Sequence, residues 1–155
     1  MFDHNYIRKR GNVALNENFI ITAGFCWDVM LENRFKNSLY LEPFGYKVYS
    51  QNDEDGIIHE IFNRIGYTDK RFIEFGVQDG LESNTHCLLY DDWSGLWIEG
   101  EERYCNFINQ KFHSVIQSGQ LKILNSYVTR NNINQLFEKA GFTEEIDLLS
   151  IDIDG

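Results

Sequence analysis

Apolar residues in the later part of the chain fall into four short runs, each separated from the next by a segment with helical spacing. The runs cover residues 71–75, 95–99, 121–128 and 146–153. Short apolar runs are typical of buried strands, whereas apolar residues at i, i+3, i+4 and i+7 indicate one face of a helix. The alternation predicts βαβ units with a mainly parallel sheet, that is, an α/β Rossmann-like three-layer sandwich.

Helical patterns surround these runs. The segment 50–65 has one apolar face, a capping box from Ser50 to Asp53 is predicted at its start, and Gly66 is expected to end it. A short helix is predicted to start near Ser83. Two further helices have the apolar faces Tyr104, Phe107 and Ile108, and Ile133, Leu136, Phe137 and Ala140.

The length of 155 residues suits one domain with a real core. Residues 1–45 show no sustained periodicity, and Pro43 and Gly45 punctuate their end. We therefore expect an N-terminal extension over 1–45 and a Rossmann-like domain over 46–155.

Charge narrows the range of partners. The chain has 14 basic and 24 acidic residues, a net charge of −10, which argues against nucleic acid or an anionic membrane as partner.

Residues 19–31 are apolar but too short to span a bilayer. Three cysteines without ligand spacing predict thiols in a reducing compartment rather than a zinc site. A cytoplasmic protein is expected.

The stretch RFIEFGVQDGLESNT, residues 71–85, carries the most specific chemical signal. Gly76 and Gly80 bracket a turn after the first strand, where a parallel sheet binds ligands. Backbone amides at the start of the next helix would favour a carboxylate or a phosphate. Glycine is also common in tight turns that bind nothing, so this loop alone leaves both readings open.

Glu99 ends the second strand, 23 positions after Gly76 (99 − 76). An acid at this place can accept hydrogen bonds from both hydroxyls of an adenosine ribose. Glu99 is also the first acid of the run 99–102, which could be a solvated turn, but its position directly after GLWI favours the ribose role.

Taken together, FIEFGVQDGLESNT, GLWIEGEERYCN, NSYVTRNNINQLFEKAG and IDLLSIDIDG resemble the FkbM-type group of S-adenosylmethionine-dependent methyltransferases. The upstream segment YSQNDEDGIIHEIFNRIG also resembles the helix that precedes the first motif in related members. The resemblance covers about residues 46–155. Gln78 stands where the common GxGxG form of methyltransferases has its middle glycine, but the loop matches the Gly-x-x-x-Gly form of the FkbM type.

The resemblance implies S-adenosyl-L-methionine as cofactor and a sugar or small-metabolite hydroxyl as acceptor. It places the cofactor against Glu74, Gly76, Gln78, Gly80, Asn84, Glu99 and Asp152. Asn84 could instead cap the following helix, and Glu74 could orient loop amides without touching the ligand. Tyr127, Val128 and Thr129 would line the adenine pocket, unless Thr129 simply caps the next helix.

The sequence ends in SIDIDG, which places Asp152 and Asp154 on one side of an extended strand. Asp154 is the predicted catalytic base, needed only for a weakly acidic hydroxyl. Two carboxylates and water would suit magnesium, but no further ligand is evident, so no metal is predicted. The four histidines show no pairing and are expected to be packing or surface residues.

Other functions stay open. The Asp152-x-Asp154 pattern also suits a nucleotide-sugar glycosyltransferase, and a glycine loop with a distant acid suits a dehydrogenase, although GxGxxG is absent. A truncated, non-catalytic binding module is a third class. A methyltransferase fold of class I would continue beyond the fourth strand, so we expect a missing C-terminal half, a second copy of the chain or a partner to cover that sheet edge.

Overall fold

The computed structural model describes residues 39–153, of which residues 44–153 belong to one compact unit of the chain. Most of the predicted extension, 1–45, lies outside the described residues. The elements in chain order are a 3-10 helix (Glu42–Phe44), α1 (Glu54–Ile65), β1 (Arg71–Phe75), a second 3-10 helix (Cys87–Asp91), β2 (Ser94–Glu99), α2 (Glu102–Lys111), α3 (His113–Gln117), β3 (Leu121–Asn125), α4 (Ile133–Ala140) and β4 (Leu148–Ile151).

The four strands form one parallel sheet in the order β3-β2-β1-β4. This confirms the predicted α/β, Rossmann-like architecture. The first two strands match their predicted ranges closely. The last two are shorter than predicted, because β3 ends at Asn125 and β4 at Ile151. Parallel strands all end at the same edge, so the loops after β1, β2 and β4 come together there.

Side chains alternate between the two faces of the sheet and build a separate core on each. One face presents Phe72, Trp97 and Leu121 to a layer that includes α1, the second 3-10 helix and α2. The other face presents Ile73, Phe75, Leu96 and Ile98 to α4. The sheet is thus the middle of three layers, as predicted.

Three local predictions were wrong: the helix near Ser83, the apolar face of α2 and the capping box at Ser50. No α-helix starts near Ser83, because residues 78–86 form turns and only the 3-10 helix follows them. The predicted apolar face of α2 is wrong at Phe107, which is 39% exposed. The residues that α2 buries are Cys105 and Ile108.

The predicted capping box is also wrong, because the pairing partner of Ser50 is Asp55 rather than Asp53. Ser50 Oγ accepts the Asp55 N–H, and Asp55 Oδ2 accepts the N–H groups of Val48, Tyr49 and Ser50. Asp53 makes no side-chain cap. Asp55 thus fixes the segment before α1 from inside the protein, and Gly66 ends the helix as predicted.

No helix within residues 39–153 has both the length and the apolar character needed to cross a membrane.

Candidate functional site

Gly76 begins the turn after β1 with φ +76°, a conformation that favours glycine. A Cβ at this position would overlap the backbone carbonyl of Asp152, which crosses directly over it. The Asp152 N–H in turn donates to Phe75 O. Gly76 is therefore required by the close approach of the chain after β4.

Gly80 has a similar φ of +76°, and a Cβ there would overlap the ring of Trp97. Glycine is needed at this position because the buried Trp97 ring of β2 packs against it. Gly80 lines neither of the clefts described below.

Gln78 lies between the two glycines and has φ +51°, which is uncommon for a residue with a side chain. The Gln78 N–H donates to Glu99 Oε2 at 2.8 Å. Holding a non-glycine residue in this region costs about 1 kcal/mol or more. The bond to Glu99 helps to hold it, so the turn after β1 and the tip of β2 form one unit.

Glu99 points toward the turn, as the ribose hypothesis requires. Its carboxylate accepts the Gln78 N–H through Oε2 and the Glu101 N–H through Oε1, each at 2.8 Å. A carboxylate has about four acceptor positions. Among the described residues these two bonds occupy one position on each oxygen, so each oxygen retains capacity for one more donor.

Glu74 is fully buried below this turn and does not line the clefts. Its carboxylate accepts the N–H groups of Asn84 and Thr85 and the hydroxyls of Thr85 and Ser150. Burial raises the pKa of the Glu74 carboxyl, although these four hydrogen bonds work in the opposite direction. The loop amides that were expected to bind a ligand anion therefore bind the protein's own acid.

Asn84 belongs to the same buried network. Its side-chain amide donates to Ser150 Oγ, so it joins the loop after β1 to strand β4. The expected capping role is wrong, because no α-helix follows it and the 3-10 helix has no side-chain cap. The order β1-β4 in the sheet is what brings Ser150 close.

A cleft of about 460 Å³, which we call the Glu99 cleft, opens between the ends of β1, β2 and β3. It is lined by Phe75, Gly76, Gln78, Ile98, Glu99, Gly100, Glu101, Tyr104, Ser126, Tyr127, Val128, Asp152 and Ile153. Its lining combines the carboxylates of Glu99, Glu101 and Asp152 with the apolar surfaces of Val128 and the two tyrosines. Tyr127 and Val128 were predicted here, whereas Thr129 does not line it.

Tyr127 closes one side of this cleft against the backbone. Its ring lies so near Gly100 that a Cβ there would overlap it, and its hydroxyl donates to a Glu101 carboxylate oxygen. This hydrogen bond raises the pKa of the Tyr127 hydroxyl. Gly100 and Tyr104 were missed by sequence reasoning, although GEERY directly after Glu99 offered a positional signal.

A larger cleft of about 860 Å³, which we call the Tyr90 cleft, lies on the other side of the turn. It is lined by Lys47, Val48, Tyr49, Gln51, Gly76, Val77, Gln78, Asp79, Leu81, Glu82, Ser83, His86, Tyr90, Lys111, Phe112, Ser114, Val115 and Asp152. Gly76, Gln78 and Asp152 line both clefts. The turn after β1 and the end of β4 thus form the boundary between them.

The structure brings together four of the predicted cofactor residues, namely Gly76, Gln78, Glu99 and Asp152. Glu74, Gly80 and Asn84 support the loop from behind. The predicted base Asp154 lies outside the described residues. Within residues 39–153, no group of three or more His, Cys, Asp or Glu side chains is placed to hold a metal ion.

No protein-family model matches the chain, and no curated protein matches its sequence. The similarity to the FkbM type thus stays a prediction that rests on the motifs.

Proposed function

We propose that this chain is an S-adenosylmethionine-dependent methyltransferase domain that transfers a methyl group to a hydroxyl of a sugar or small metabolite. One observation carries the proposal. Glu99 lies at the tip of β2 and faces the glycine turn, and the described residues leave an acceptor position on each of its carboxylate oxygens. Two neighbouring acceptors match the two hydroxyls of a ribose.

The residues of the Glu99 cleft fit an adenosine. The ribose hydroxyls would donate to Glu99, and the adenine would lie between Ile98, Val128 and the ring of Tyr127. The methionine part would pass Gly76 and Gln78, because these residues line both clefts. The acceptor class follows from the FkbM-type motifs rather than from this geometry.

The bound cofactor supplies a sulfonium that already activates the methyl group, so the protein's main task is alignment. The rigid turn after β1 would provide this alignment, since Gln78 is bonded to Glu99 and Gly76 is packed under Asp152. Asp152 lines both clefts and is a second candidate, beside Asp154, to accept the hydroxyl proton.

Calorimetric titration with S-adenosylhomocysteine tests the proposal. We expect binding by the natural chain and a loss of about 100-fold in Glu99→Ala, because two charge-assisted hydrogen bonds are worth about 3 kcal/mol. Glu138→Ala, which removes an exposed acid on α4, is the matched control and should bind normally.

Two other outcomes would replace the proposal. Manganese-dependent binding of a nucleotide sugar, lost in Asp154→Ala, would favour a glycosyltransferase. Binding of no nucleotide at all would leave a non-catalytic interaction module.

A further inference from the structure

The Tyr90 cleft contains an aromatic stack that the proposed cofactor site does not use. The rings of Tyr49 and His86 stack with centroids 3.9 Å apart, and those of Tyr49 and Tyr90 with centroids 5.3 Å apart and planes within 7°. Tyr90 is 71% exposed, although it belongs to this stack. An aromatic ring held in a cleft with much of its surface exposed is a ready-made surface for another ring.

The stack is anchored by ring packing in the core and by a backbone hydrogen bond of Tyr49. His86 is buried, and its ring meets Trp97 and Phe112 edge-on within the core. The Tyr49 N–H donates to the buried carboxylate of Asp55 at 2.7 Å. A preorganised aromatic surface loses little entropy when a ligand binds, which favours a binding role.

Polar groups surround the stack. The neighbouring Tyr90 side chain raises the pKa of the Tyr49 hydroxyl above its ordinary value, and the two parallel phenol rings each carry a hydroxyl at their edge. Ser83 lines the same cleft, is only 4% exposed, and its hydroxyl has no hydrogen-bond partner among the described residues. A buried hydroxyl without a partner is costly, and a turn of the Ser83 side chain toward the cleft would let a ligand hydroxyl satisfy it.

We propose that the Tyr90 cleft is the site of the methyl acceptor, a cyclic molecule that lays one flat face on Tyr90 and directs a hydroxyl toward Ser83. This assignment rests on the proposed function, because the donor then lies across Gln78 in the Glu99 cleft. A pyranoside and a phenol share the required chemistry, namely one apolar ring face and polar groups at its edge.

Amide NMR spectra of the full chain, saturated with S-adenosylhomocysteine, test the site with two probes, methyl β-glucopyranoside and 4-methylphenol. We expect one probe to shift the amides of residues 81–90 and 111–115 with millimolar affinity. The probe that binds decides between a polyol ring and an aromatic ring. If neither probe shifts these amides, the assignment is wrong.

Variants of Tyr90 test the role of the ring. Tyr90→Ala should weaken the bound probe by about fivefold or more, because a stacked ring contact is worth about 1 kcal/mol, while Tyr90→Phe should retain most of the affinity. Tyr67→Ala, at another exposed tyrosine outside both clefts, is the control. Unchanged probe affinity in Tyr90→Ala would overturn the assignment.

Ser83→Ala should affect the stability of the free chain and its affinity for the probe differently. Removing an unpartnered buried hydroxyl should leave the melting temperature of the free chain equal or higher, yet weaken the probe about fivefold. Ser50→Ala, which removes a buried hydroxyl that does have partners, should instead lower the melting temperature. Ser83→Ala with normal probe binding would contradict the proposed contact.

The donor site is measured separately in the same samples. If S-adenosylhomocysteine binds and neither probe does, the acceptor assignment fails and the proposed function stands. If a probe binds at Tyr90 and S-adenosylhomocysteine does not bind, the proposed function fails and this cleft is not a methyl-acceptor site.

Discussion

Gly76 is the residue at which backbone conformation and packing constrain the site most tightly. Gly76→Ala should destabilise the chain by at least about 2 kcal/mol, because alanine adds the cost of a left-handed residue to an overlap with the Asp152 carbonyl. Chemical denaturation measures this change.

Gly119→Ala is the matched control. Gly119 has φ +82°, but a Cβ there would meet nothing within 4 Å, so only the conformational cost of about 1 kcal/mol remains. Equal losses in the two variants would show that the close approach of Asp152 contributes nothing.

Glu74 should make the stability depend on pH. Burial raises its pKa above the unfolded value of about 4.3, so its contribution is fully present below that value and is lost as the pH rises through the folded pKa. The stability of the natural chain minus that of Glu74→Gln should therefore fall as the pH rises from about 4. Urea unfolding at several pH values measures this difference, and a constant difference would refute the assignment.

At the residue scale, sequence position located Glu99 because the tip of the second parallel strand has a fixed relation to the first turn. The alternative role of Glu74, orientation of the loop amides, is confirmed by the hydrogen bonds from the Asn84 and Thr85 N–H groups, but its full set of partners could not be predicted. Its partners include Ser150, which is far along the chain and reaches Glu74 only because β4 pairs with β1. The same pairing explains why the packing reason for Gly76 was invisible in the sequence.

Asp147 joins the amino ends of strands β1 and β4. Its carboxylate accepts the N–H groups of Thr68, Asp69 and Arg71 and the Thr68 hydroxyl. Burial alone would raise the pKa of Asp147, but these hydrogen bonds outweigh it and lower the pKa. The turn before β1 is thus held to the start of β4.

Asp147→Ala should cost about 1–2 kcal/mol at neutral pH, a modest value because the carboxylate is half-exposed. The lowered pKa means that this stability is present above the unfolded value of about 3.9 and is lost as the pH falls through the folded pKa. Denaturation at pH values from neutral to acid measures it, with Asp69→Ala as an exposed control. A cost that does not decrease in acid would exclude the charged clamp.

At the element scale, the sequence predicted β1 and β2 well because both contain a short apolar run and are buried at every position after the first. The helix expected near Ser83 failed because Glu74 binds the amides of Asn84 and Thr85 and holds this segment in turns. A tertiary interaction thus overrides the local helical preference, and no local sequence pattern indicates such an interaction.

At the scale of the whole molecule, the sheet order places β4 beside β1, and β4 has no second neighbour among the described strands. Leu149, Ile151 and Ile153 follow one another with period two and are exposed. Such an apolar edge strand favours association between chains.

Ile151→Lys should reduce self-association while leaving the unfolding free energy within about 0.5 kcal/mol, because this side chain is 59% exposed. Light scattering against concentration measures the association, and Gln135→Lys, which adds the same charge at an exposed position of α4, is the control for a general change in surface charge. Undiminished association in Ile151→Lys would mean that another surface is responsible.

We propose that Glu99 binds the ribose of an adenosine. Substituting Glu99 also releases the amides of Gln78 and Glu101, so a change in the ligand is the cleaner test. The deciding measurement compares adenosine with 2′,3′-dideoxyadenosine by calorimetry on the unmodified chain. We predict that adenosine binds about 100-fold more tightly, because only its hydroxyls can donate to the two acceptor positions that the described residues leave on Glu99. Equal affinity for the two nucleosides, or binding of neither, would contradict the account.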